Sequence, residues 1–251
     1  MNLGFLGTGH ITSSVIEGIF KSKLKVKKIF ISPRNKTISK KLSKRFKKIT
    51  VSKNNQQLID DSKWIFLAIT PQVGHKILKK LKFKNKKIIS FISTINLSAL
   101  KRYTKNNNIS RVIPLPFIGM KKGPIIICSS DKSLNSFFKH LGKVFVVKNE
   151  KLSKAFWSTS SFMAPYYNLL LSTSSWLISK GIKRKEAENY TRELFLALSE
   201  DSMNKENLSL TKLVSTSQTP GGTNALVLKK LKKNKFYSIQ QNALSNVFKK
   251  F

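Results

Sequence analysis

An apolar strand at the start of the chain runs directly into a turn that contains two glycines. The segment reads Leu3-Gly4-Phe5-Leu6-Gly7-Thr8-Gly9-His10-Ile11-Thr12. Gly7 permits a tight turn, and Gly9 lets the backbone approach a pyrophosphate closely, at the N-terminus of the helix that follows. Thr12 replaces the third small residue of the G-x-G-x-x-G pattern, so we expect helix and strand to pack slightly further apart. A G-x-G pair alone often marks an ordinary turn, but its place directly after a strand favours a dinucleotide site.

Short β-branched or aromatic runs alternate with Lys-rich helical stretches over residues 1–149, a pattern typical of a parallel sheet with crossover helices. The predicted strands are Asn2–Leu6, Lys28–Ile31, Ile49–Val51, Trp64–Leu67, Lys87–Phe91, Arg111–Ile113, Ile125–Cys128 and Lys143–Val147. The predicted helices are Ile11–Phe20, Thr37–Phe46, Asn54–Asp60, Pro71–Leu81, Leu97–Asn106 and Ser133–Leu141, with Ser98 or a neighbour and Asp131 as caps. We predict an α/β fold with a Rossmann-type dinucleotide-binding domain at residues 1–149.

The pattern becomes helical after residue 149. We predict one long helix over Lys151–Ser179 that is interrupted at Pro165 and ended by Gly181, then helices over Lys183–Met203 and Leu208–Thr216 and a final amphipathic helix from near Asn224. The long helix is apolar on much of its circumference at 166–171 and 176–178, so it must be buried on several sides. Because so small a helical half cannot cover it, we predict an all-helical dimerisation domain at residues 150–251.

Lysine dominates the charge of the chain, which has 48 Lys and Arg against 11 Asp and Glu and a formal net charge of +37. Such an excess raises nucleic acid as a partner. However, the lysines are spread over nearly every predicted helix and loop, and base-reading surfaces usually depend on clustered Arg. We therefore predict no specific nucleic-acid partner. A catalytically silent polyanion-binding protein stays an alternative interpretation.

The cysteine and histidine content and the hydropathy of the chain argue against disulfide-bonded, membrane-spanning, secreted and metal-binding proteins. The single Cys128 cannot form a disulfide within the chain and fits a reducing compartment. No apolar run approaches the roughly 18 residues that a membrane span requires, and the first core strand leaves no room for a signal peptide. His10, His75 and His140 are isolated from other ligands, so we predict no metal site. A cytoplasmic protein without a membrane partner is expected.

The stretch after the second strand indicates which dinucleotide binds. A site for NAD usually holds an acidic residue there for the ribose 2′-hydroxyl. Here the stretch reads Ile31-Ser32-Pro33-Arg34-Asn35-Lys36, and no carboxylate occurs between Glu17 and Asp60. Ser32 and Arg34 suit a 2′-phosphate instead. The sequence therefore predicts NADP(H) as cofactor, with NAD(H) as the alternative.

Two further strands end in turns that should border the cofactor, because ligands of open α/β sheets lie outside the carboxyl ends of strands. These turns are Ala68-Ile69-Thr70-Pro71-Gln72 and Arg111-Val112-Ile113-Pro114. The predicted cofactor-binding residues are Gly7, Thr8, Gly9, His10, Ile11, Ser32, Arg34, Ala68, Thr70 and Pro71.

The segment Thr219-Pro220-Gly221-Gly222-Thr223 precedes the final helix. Two glycines ahead of a helix present bare backbone N–H groups, and a helix N-terminus favours an anion. A substrate carboxylate would fit there, with the Thr223 hydroxyl and the Gly222 amide as donors. A plain interhelical loop would explain the same residues.

Together these segments resemble the pyrroline-5-carboxylate reductase family. Five segments occur in the same order as in that family: the Gly7/Gly9 turn and residues 32–34, 68–72, 111–114 and 219–223. The last of them is similar to the family's S-P-G-G-T-T segment. The resemblance spans nearly the whole chain. It implies NADPH-dependent reduction of the cyclic imine 1-pyrroline-5-carboxylate to L-proline, an interlocked homodimer or higher homo-oligomer built from the helical domain, and an active site between the two halves.

The resemblance also implies roles for individual residues. Thr223, Pro114 and Ala164 would form the catalytic site, with Pro114 and Ala164 shaping the nicotinamide pocket. The substrate would contact Thr219, Gly221, Gly222, Thr223, Asn224 and Met163. The chain departs from the family at Leu115, Phe162, Met163 and Asn224, where the family has Asn, small residues and a second Thr. Reduction of another small imino or keto acid is therefore an alternative.

Overall fold

The computed structural model describes residues 1–250, which form two compact units, Met1–Trp157 and Ser158–Lys249. The division falls within the helix Glu150–Thr159. The boundary after residue 149 that the sequence suggests stays a prediction. Phe251, the last residue of the predicted helical domain, lies outside the described residues.

The first unit is built on an eight-stranded sheet with the order β3-β2-β1-β4-β5-β6-β7-β8. Neighbouring strands are parallel except for the antiparallel pair β6 and β7. The predicted strands agree with the observed ones to within two residues at each end, and the predicted Rossmann-type α/β class is confirmed. The strands are β1 (Asn2–Leu6), β2 (Lys28–Ile31), β3 (Ile49–Val51), β4 (Trp64–Leu67), β5 (Lys87–Ser90), β6 (Ile109–Ile113), β7 (Pro124–Cys128) and β8 (Lys143–Val146).

Both faces of the central strands are buried, which explains why they read as continuous apolar runs. Leu3 and Phe5 pack into the core on one face, and Leu6 packs into the core on the other. Phe5 and Phe66 are register partners on β1 and β4 and stack with ring centroids 4.5 Å apart. This pairing fixes the register of the two strands, so that β1 and β4 end level at the same edge of the sheet.

The crossover helices of the first unit begin at side-chain caps where the sequence offers them. Asn96 caps the fifth helix by accepting a hydrogen bond from Ala99 N, and Asp131 caps the sixth, as predicted, by accepting from Leu134 N. The fourth helix ends at Ile77, earlier than predicted, because the chain tightens into a 3₁₀ turn. The helices are α1 (His10–Lys21), α2 (Lys36–Arg45), α3 (Asn55–Asp60), α4 (Pro71–Ile77), α5 (Leu97–Thr104), α6 (Lys132–Lys139) and α7 (Glu150–Thr159).

The Asp131 cap makes the stability of the first unit depend on pH. Partial burial raises the pKa of Asp131, but hydrogen bonds from Lys87, Ser133 and Leu134 outweigh it and lower the pKa to about 2. Because an unfolded Asp has a pKa of about 3.9, the charged cap stabilises the fold above about pH 4, and this contribution is lost as the pH falls toward 2.

Asp131→Asn keeps the cap but removes the attraction to Lys87, whose Nζ lies 2.5 Å from Asp131 Oδ2. We expect the difference in unfolding free energy between wild type and this variant to be present at pH 7 and to vanish near pH 2 in urea titrations. Asp131→Ala should cost about 1 kcal/mol more because it also removes the cap. A difference that stays constant over this pH range would contradict the assignment.

Every regular element of the second unit is a helix, in agreement with the predicted helical domain. Its helices are α8 (Met163–Ser179), α9 (Arg184–Asn204), α10 (Leu210–Thr216), α11 (Thr223–Lys233) and α12 (Phe236–Phe248). Two expectations need correction. The break in the long helix is a 3₁₀ turn at Ser160–Phe162, and Pro165 lies in the first turn of α8, where its missing N–H costs nothing. The predicted final helix is two helices, separated at Lys235, which has φ +56°.

The second unit leaves most of its large apolar side chains in contact with solvent. Trp176 is 61% exposed and Leu210 is 75% exposed, and within the described part of α8 and α9 the buried side chains are small ones, Ser174, Ala187 and Thr191. Burying a large apolar side chain stabilises a fold by about 1.5–3 kcal/mol. A helical unit with so little core of its own leaves a large apolar surface that would be stabilised by burial.

Candidate active site

A cavity of about 680 Å³ lies at the carboxyl ends of β1, β2 and β4. The chain turns from β1 toward β2 on one side and reaches β4 on the other, which is the switch point at which α/β sheets bind ligands. Side chains or backbone of fourteen residues line it: Leu6, Gly7, Thr8, Gly9, Ser32, Arg34, Asn35, Lys36, Asn55, Ala68, Ile69, Thr70, Val73 and Ile77.

Gly7 occupies a position that no other residue can take without strain. Its φ is +109°, and a Cβ placed on it would lie 2.2 Å from the carbonyl oxygen of Ala68. The turn after β1 thus passes directly against the end of β4. Gly7 is required by the protein's own packing.

Gly9 differs, because a Cβ placed on it would meet no atom within 4 Å. It is the N-cap of α1, and the first backbone bond of that helix runs from Ser13 N to Gly9 O at 3.0 Å. The N–H groups of the first turn of α1 therefore have no partner inside the helix. This N-terminus is suited to an anion that approaches the Gly9 backbone closely.

Thr12 is fully buried, and its hydroxyl donates to the carbonyl oxygen of Gly7 at 2.7 Å. The larger residue is thus accommodated in the third position of the glycine pattern by a hydrogen bond that also holds the turn.

Ser32 lines the cavity but braces the glycine turn. Its hydroxyl accepts a hydrogen bond from Gly7 N at 3.0 Å, and its carbonyl accepts one from the Thr8 hydroxyl at 2.7 Å. Ser32 is only 2% exposed. The Ser32 hydroxyl thus has a partner within the protein as an acceptor, and its predicted role as a phosphate ligand stays a prediction.

Arg34 and Lys36 form a basic rim on the same side of the cavity. Both are exposed, and no ion pair within residues 1–250 engages either of them. Asn35, between them, caps α2 by accepting a hydrogen bond from Ile38 N at 3.1 Å. The cavity lining contains no carboxylate among the described residues. Two cations beside a helix N-terminus favour a phosphate over a neutral ribose hydroxyl.

The remaining predicted cofactor residues divide into two groups. Ala68 and Thr70 line the cavity, whereas His10, Ile11 and Pro71 lie beside it at the first turns of α1 and α4. Seven lining residues are not among the predicted ones. Asn35 and Lys36 directly follow Arg34, and Asn55 could have been found because it follows the carboxyl end of β3. The apolar ones give no signal that separates them from core: Leu6, Ile69, Val73 and Ile77.

The segment 219–223 forms a tight turn that ends at the N-terminus of α11. Gly221 has φ +73°, and Gly222 N donates to Thr219 O at 2.9 Å. The Gly222 amide is therefore not the free donor that the sequence suggested. The first intrahelical bond runs from Leu226 N to Gly222 O, so the amides of Thr223 and Asn224 take its place as unpaired donors of the first turn.

Thr223 is exposed at the first position of α11, and the Asn224 side chain donates to Ser217 O at 3.0 Å. Met163 and Ala164 begin α8 in the same unit. Pro114 is buried in the first unit, directly after β6. The roles of these residues in substrate binding or catalysis stay predictions.

Residues 1–250, the part of the chain that the structure describes, hold neither a metal-binding cluster nor a membrane-spanning helix. No three His, Cys, Asp or Glu side chains there are grouped so that they could bind a metal ion. None of the described helices is both long enough and apolar enough to span a bilayer.

Comparison with known proteins adds two family models. One, described as NADP oxidoreductase, coenzyme F420-dependent, matches residues 2–94. The other, described as pyrroline-5-carboxylate reductase dimerisation, matches residues 150–251. The two matches fall on the two halves that the sequence pattern separates.

Single proteins give the same pattern of similarity. Pyrroline-5-carboxylate reductase 3 of Danio rerio is 25% identical over 136 residues, which are 52% of this chain and 46% of that protein. The chain spans less than half the length of the curated relatives it matches.

Two solved structures cover 100% of the chain. 1-Pyrroline-5-carboxylate reductase of Streptococcus pyogenes has a TM-score of 0.87 at 21% identity, with 97% of that chain covered. The Plasmodium falciparum pyrroline carboxylate reductase with NADP bound has a TM-score of 0.84 at 23% identity, with 96% covered. The chain thus has the same fold as these two proteins, a Rossmann-type domain followed by helices.

Proposed function

We propose that this chain is a member of the pyrroline-5-carboxylate reductase family and reduces 1-pyrroline-5-carboxylate to L-proline with NADPH. The observation that carries the proposal is that one chain contains two features. One is a cavity with a glycine turn and a basic rim, and the other is a helical unit that matches the dimerisation model of this family. The overall reaction adds a hydride to the C=N carbon and leaves a proton on the nitrogen.

The residues that line the cavity fit a dinucleotide. The space above Gly9 and the first-turn amides of α1 suit a pyrophosphate, and Arg34 and Lys36 suit a 2′-phosphate. Ala68 and Thr70, at the end of β4, would border the bound cofactor. NADPH bound here would supply the hydride, and the protein would supply orientation and a fixed electrostatic environment.

Arg34 is the residue we expect to discriminate between the two dinucleotides. A hydrogen bond to a charged group contributes about 1.5–3 kcal/mol, so Arg34→Ala should weaken NADPH binding by roughly 10- to 100-fold and leave NADH binding nearly unchanged. Titrations of both cofactors by protein fluorescence measure this. Lys40→Ala, on the helix that follows Arg34 but outside the cavity lining, is the matched control and should change neither affinity. Equal losses for NADPH and NADH would contradict the assignment.

The substrate carboxylate would bind at the N-terminus of α11. The amides of Thr223 and Asn224 and the Thr223 hydroxyl would donate to it, assisted by the positive end of the helix dipole. Pro114 and Ala164 would shape the space around the nicotinamide, as the family resemblance implies. A protonated cyclic imine is already electrophilic, so these residues need to orient it and no strong general acid is required.

Purified protein tested for NADPH oxidation with 1-pyrroline-5-carboxylate distinguishes this function from the alternatives. Turnover with this imine supports the proposal. Tight NADPH binding with turnover only on other imino or keto acids would assign the substrate difference to Phe162 and Met163, which are bulkier than the family pattern. Failure to bind NADPH at moderate salt, together with salt-sensitive polyanion binding, would favour a silent cationic protein.

We also propose that the helical unit forms a homodimer or a higher homo-oligomer. Its exposed apolar side chains need a partner surface, and the unit matches the dimerisation model. Sedimentation should give a mass that is at least twice 28.5 kDa. Raising the salt concentration should not dissociate the assembly, because the contacts are apolar. A 28.5 kDa species at micromolar concentration would contradict this proposal.

A further inference from the structure

Arg111 is a charged side chain in the interior of the first unit. It lies on β6 and is 1% exposed. Its guanidinium donates to Ser93 O at 3.0 Å and to Ile95 O, and it pairs with Glu150 at 3.2 Å. Burying an arginine is costly unless its hydrogen-bonding groups find partners. Here two backbone carbonyls of one loop and one carboxylate supply them for the two terminal nitrogens, whereas Nε has no hydrogen-bond partner among the described residues.

Glu150 connects the same cluster to two helices. It is the first residue of α7, and its carboxylate oxygens accept from Leu97 N, the first residue of α5, at 3.1 and 3.2 Å. A carboxylate at the N-terminus of α5 is also favoured by the helix dipole. Arg111 and Glu150 together therefore join β6, the loop at residues 91–96 and the starts of α5 and α7.

The loop at residues 91–96 reaches the cofactor cavity through α4. Phe91 N donates to Leu67 O at 3.0 Å, at the end of β4. A Cβ placed on Gly74 would lie 2.8 Å from Ile95 Cδ1, so Ile95 packs directly against α4. Val73, the neighbour of Gly74, lines the cavity. Ile95 thus packs against the helix that forms one wall of the cavity.

Stability alone does not explain a buried ion pair here. Replacing such a pair with well-packed apolar residues is often neutral or stabilising, whereas the pair gives a fixed geometry that apolar groups do not. The guanidinium holds the Ser93 and Ile95 carbonyls in one arrangement. That arrangement sets the loop that follows β5 at the edge of the sheet where the reaction is proposed to occur.

We propose that Arg111, held by Glu150, is a positioning residue that fixes the loop at residues 91–96 and thereby the cavity wall needed for productive imine reduction. The inference rests on the proposed function but concerns a separate cluster. Arg111 acts through the loop, and Pro114, three residues further along the chain, lies directly after the same strand.

Arg111→Lys and Glu150→Gln test the proposal, with Arg45→Met as the control because Arg45 forms an exposed pair with Glu17 at 2.8 Å. Arg111→Lys keeps the charge but cannot reach both carbonyls and the carboxylate in the same geometry. At a temperature well below unfolding we expect kcat to fall roughly 10-fold or more, with the Kd for NADPH within about 3-fold of wild type. Arg45→Met should change neither. An unchanged kcat would overturn the proposal.

Two readouts do not depend on imine turnover. Hydrogen exchange of the amides at residues 91–97 should become faster in Arg111→Lys but not in Arg45→Met.

Cys128, the only cysteine of the chain, provides the second readout because it is the register partner of Arg111. Burial raises the pKa of its thiol, Glu150 raises it further and Arg111 opposes this. Glu150→Gln should therefore shift the pH profile of Cys128 alkylation to lower pH, and Arg111→Met should shift it to higher pH.

These readouts separate the two claims. If wild type binds NADPH but reduces no imine, the proposed function fails, and the exchange and alkylation results still decide whether Arg111 positions the loop. Unchanged exchange at residues 91–97 in Arg111→Lys, or an alkylation profile that neither variant shifts, would overturn the positioning role whatever the turnover.

Discussion

Thr223→Asp is expected to lower kcat/KM for the imino acid by about 1000-fold while leaving the fold at least as stable as wild type. Thr223 is the first residue of α11. A carboxylate there interacts favourably with the helix dipole, by about 0.3–1 kcal/mol. The same carboxylate would face the carboxylate of the substrate, and such a juxtaposition of like charges costs several kcal/mol. Activity and stability should therefore change in opposite directions.

Thr211→Asp is the matched control for this experiment. Thr211 is exposed in the first turn of α10 and is not among the predicted site residues. It should gain a similar helix-dipole contribution with no loss of activity. Thr223→Val, which removes only the hydroxyl, should lie between wild type and Thr223→Asp. Equal kcat/KM values for Thr223→Asp and Thr211→Asp would contradict a substrate carboxylate at α11.

Gly7→Ala is expected to destabilise the first unit by about 2–5 kcal/mol. The added methyl would lie 2.2 Å from Ala68 O, on a residue with φ +109°. A left-handed conformation costs an L-residue about 1–2 kcal/mol, and forcing an extra group into a packed interior costs about 1–3 kcal/mol. Thermal unfolding should show a decrease in Tm of roughly 10 °C.

Gly9→Ala should behave differently, although the two glycines share one motif. Its methyl would meet no protein atom within 4 Å, so the loss of stability should stay below about 1 kcal/mol, which is the typical effect of a poorer N-cap. The affinity for NADPH should nevertheless fall at least about 10-fold, because the methyl occupies the space that the pyrophosphate needs. If Gly9→Ala bound NADPH like wild type, the phosphate site would not lie at this turn.

Much of the first unit could be predicted because its strands are short, apolar and bounded by turn residues. β1 and β4 are buried on both faces, so their sequences contain no polar residue apart from Asn2, the first residue of β1. Asp131 was predictable as a cap since its side chain acts within three residues of itself. Local chemistry of this kind is visible in a sequence.

Other features depend on contacts between distant segments. The support that Ser32 gives to the glycine turn could not be predicted, because its hydrogen bond with Gly7 spans 25 residues. The Gly222 amide looked free because its bond to Thr219 depends on a turn whose conformation the sequence does not specify. Arg111 looked like one end of a motif, and its burial follows from Ser93, Ile95 and Glu150, which come together only in the folded sheet.

The most direct test of the proposed reaction uses NADPH that carries deuterium at both C4 positions, together with 1-pyrroline-5-carboxylate. We expect proline that contains one deuterium, at the carbon that was double-bonded to nitrogen, formed in step with the oxidised cofactor. Proline without deuterium, or deuterated NADPH that binds and is never consumed with this imine, would contradict hydride transfer to 1-pyrroline-5-carboxylate as the function of this chain.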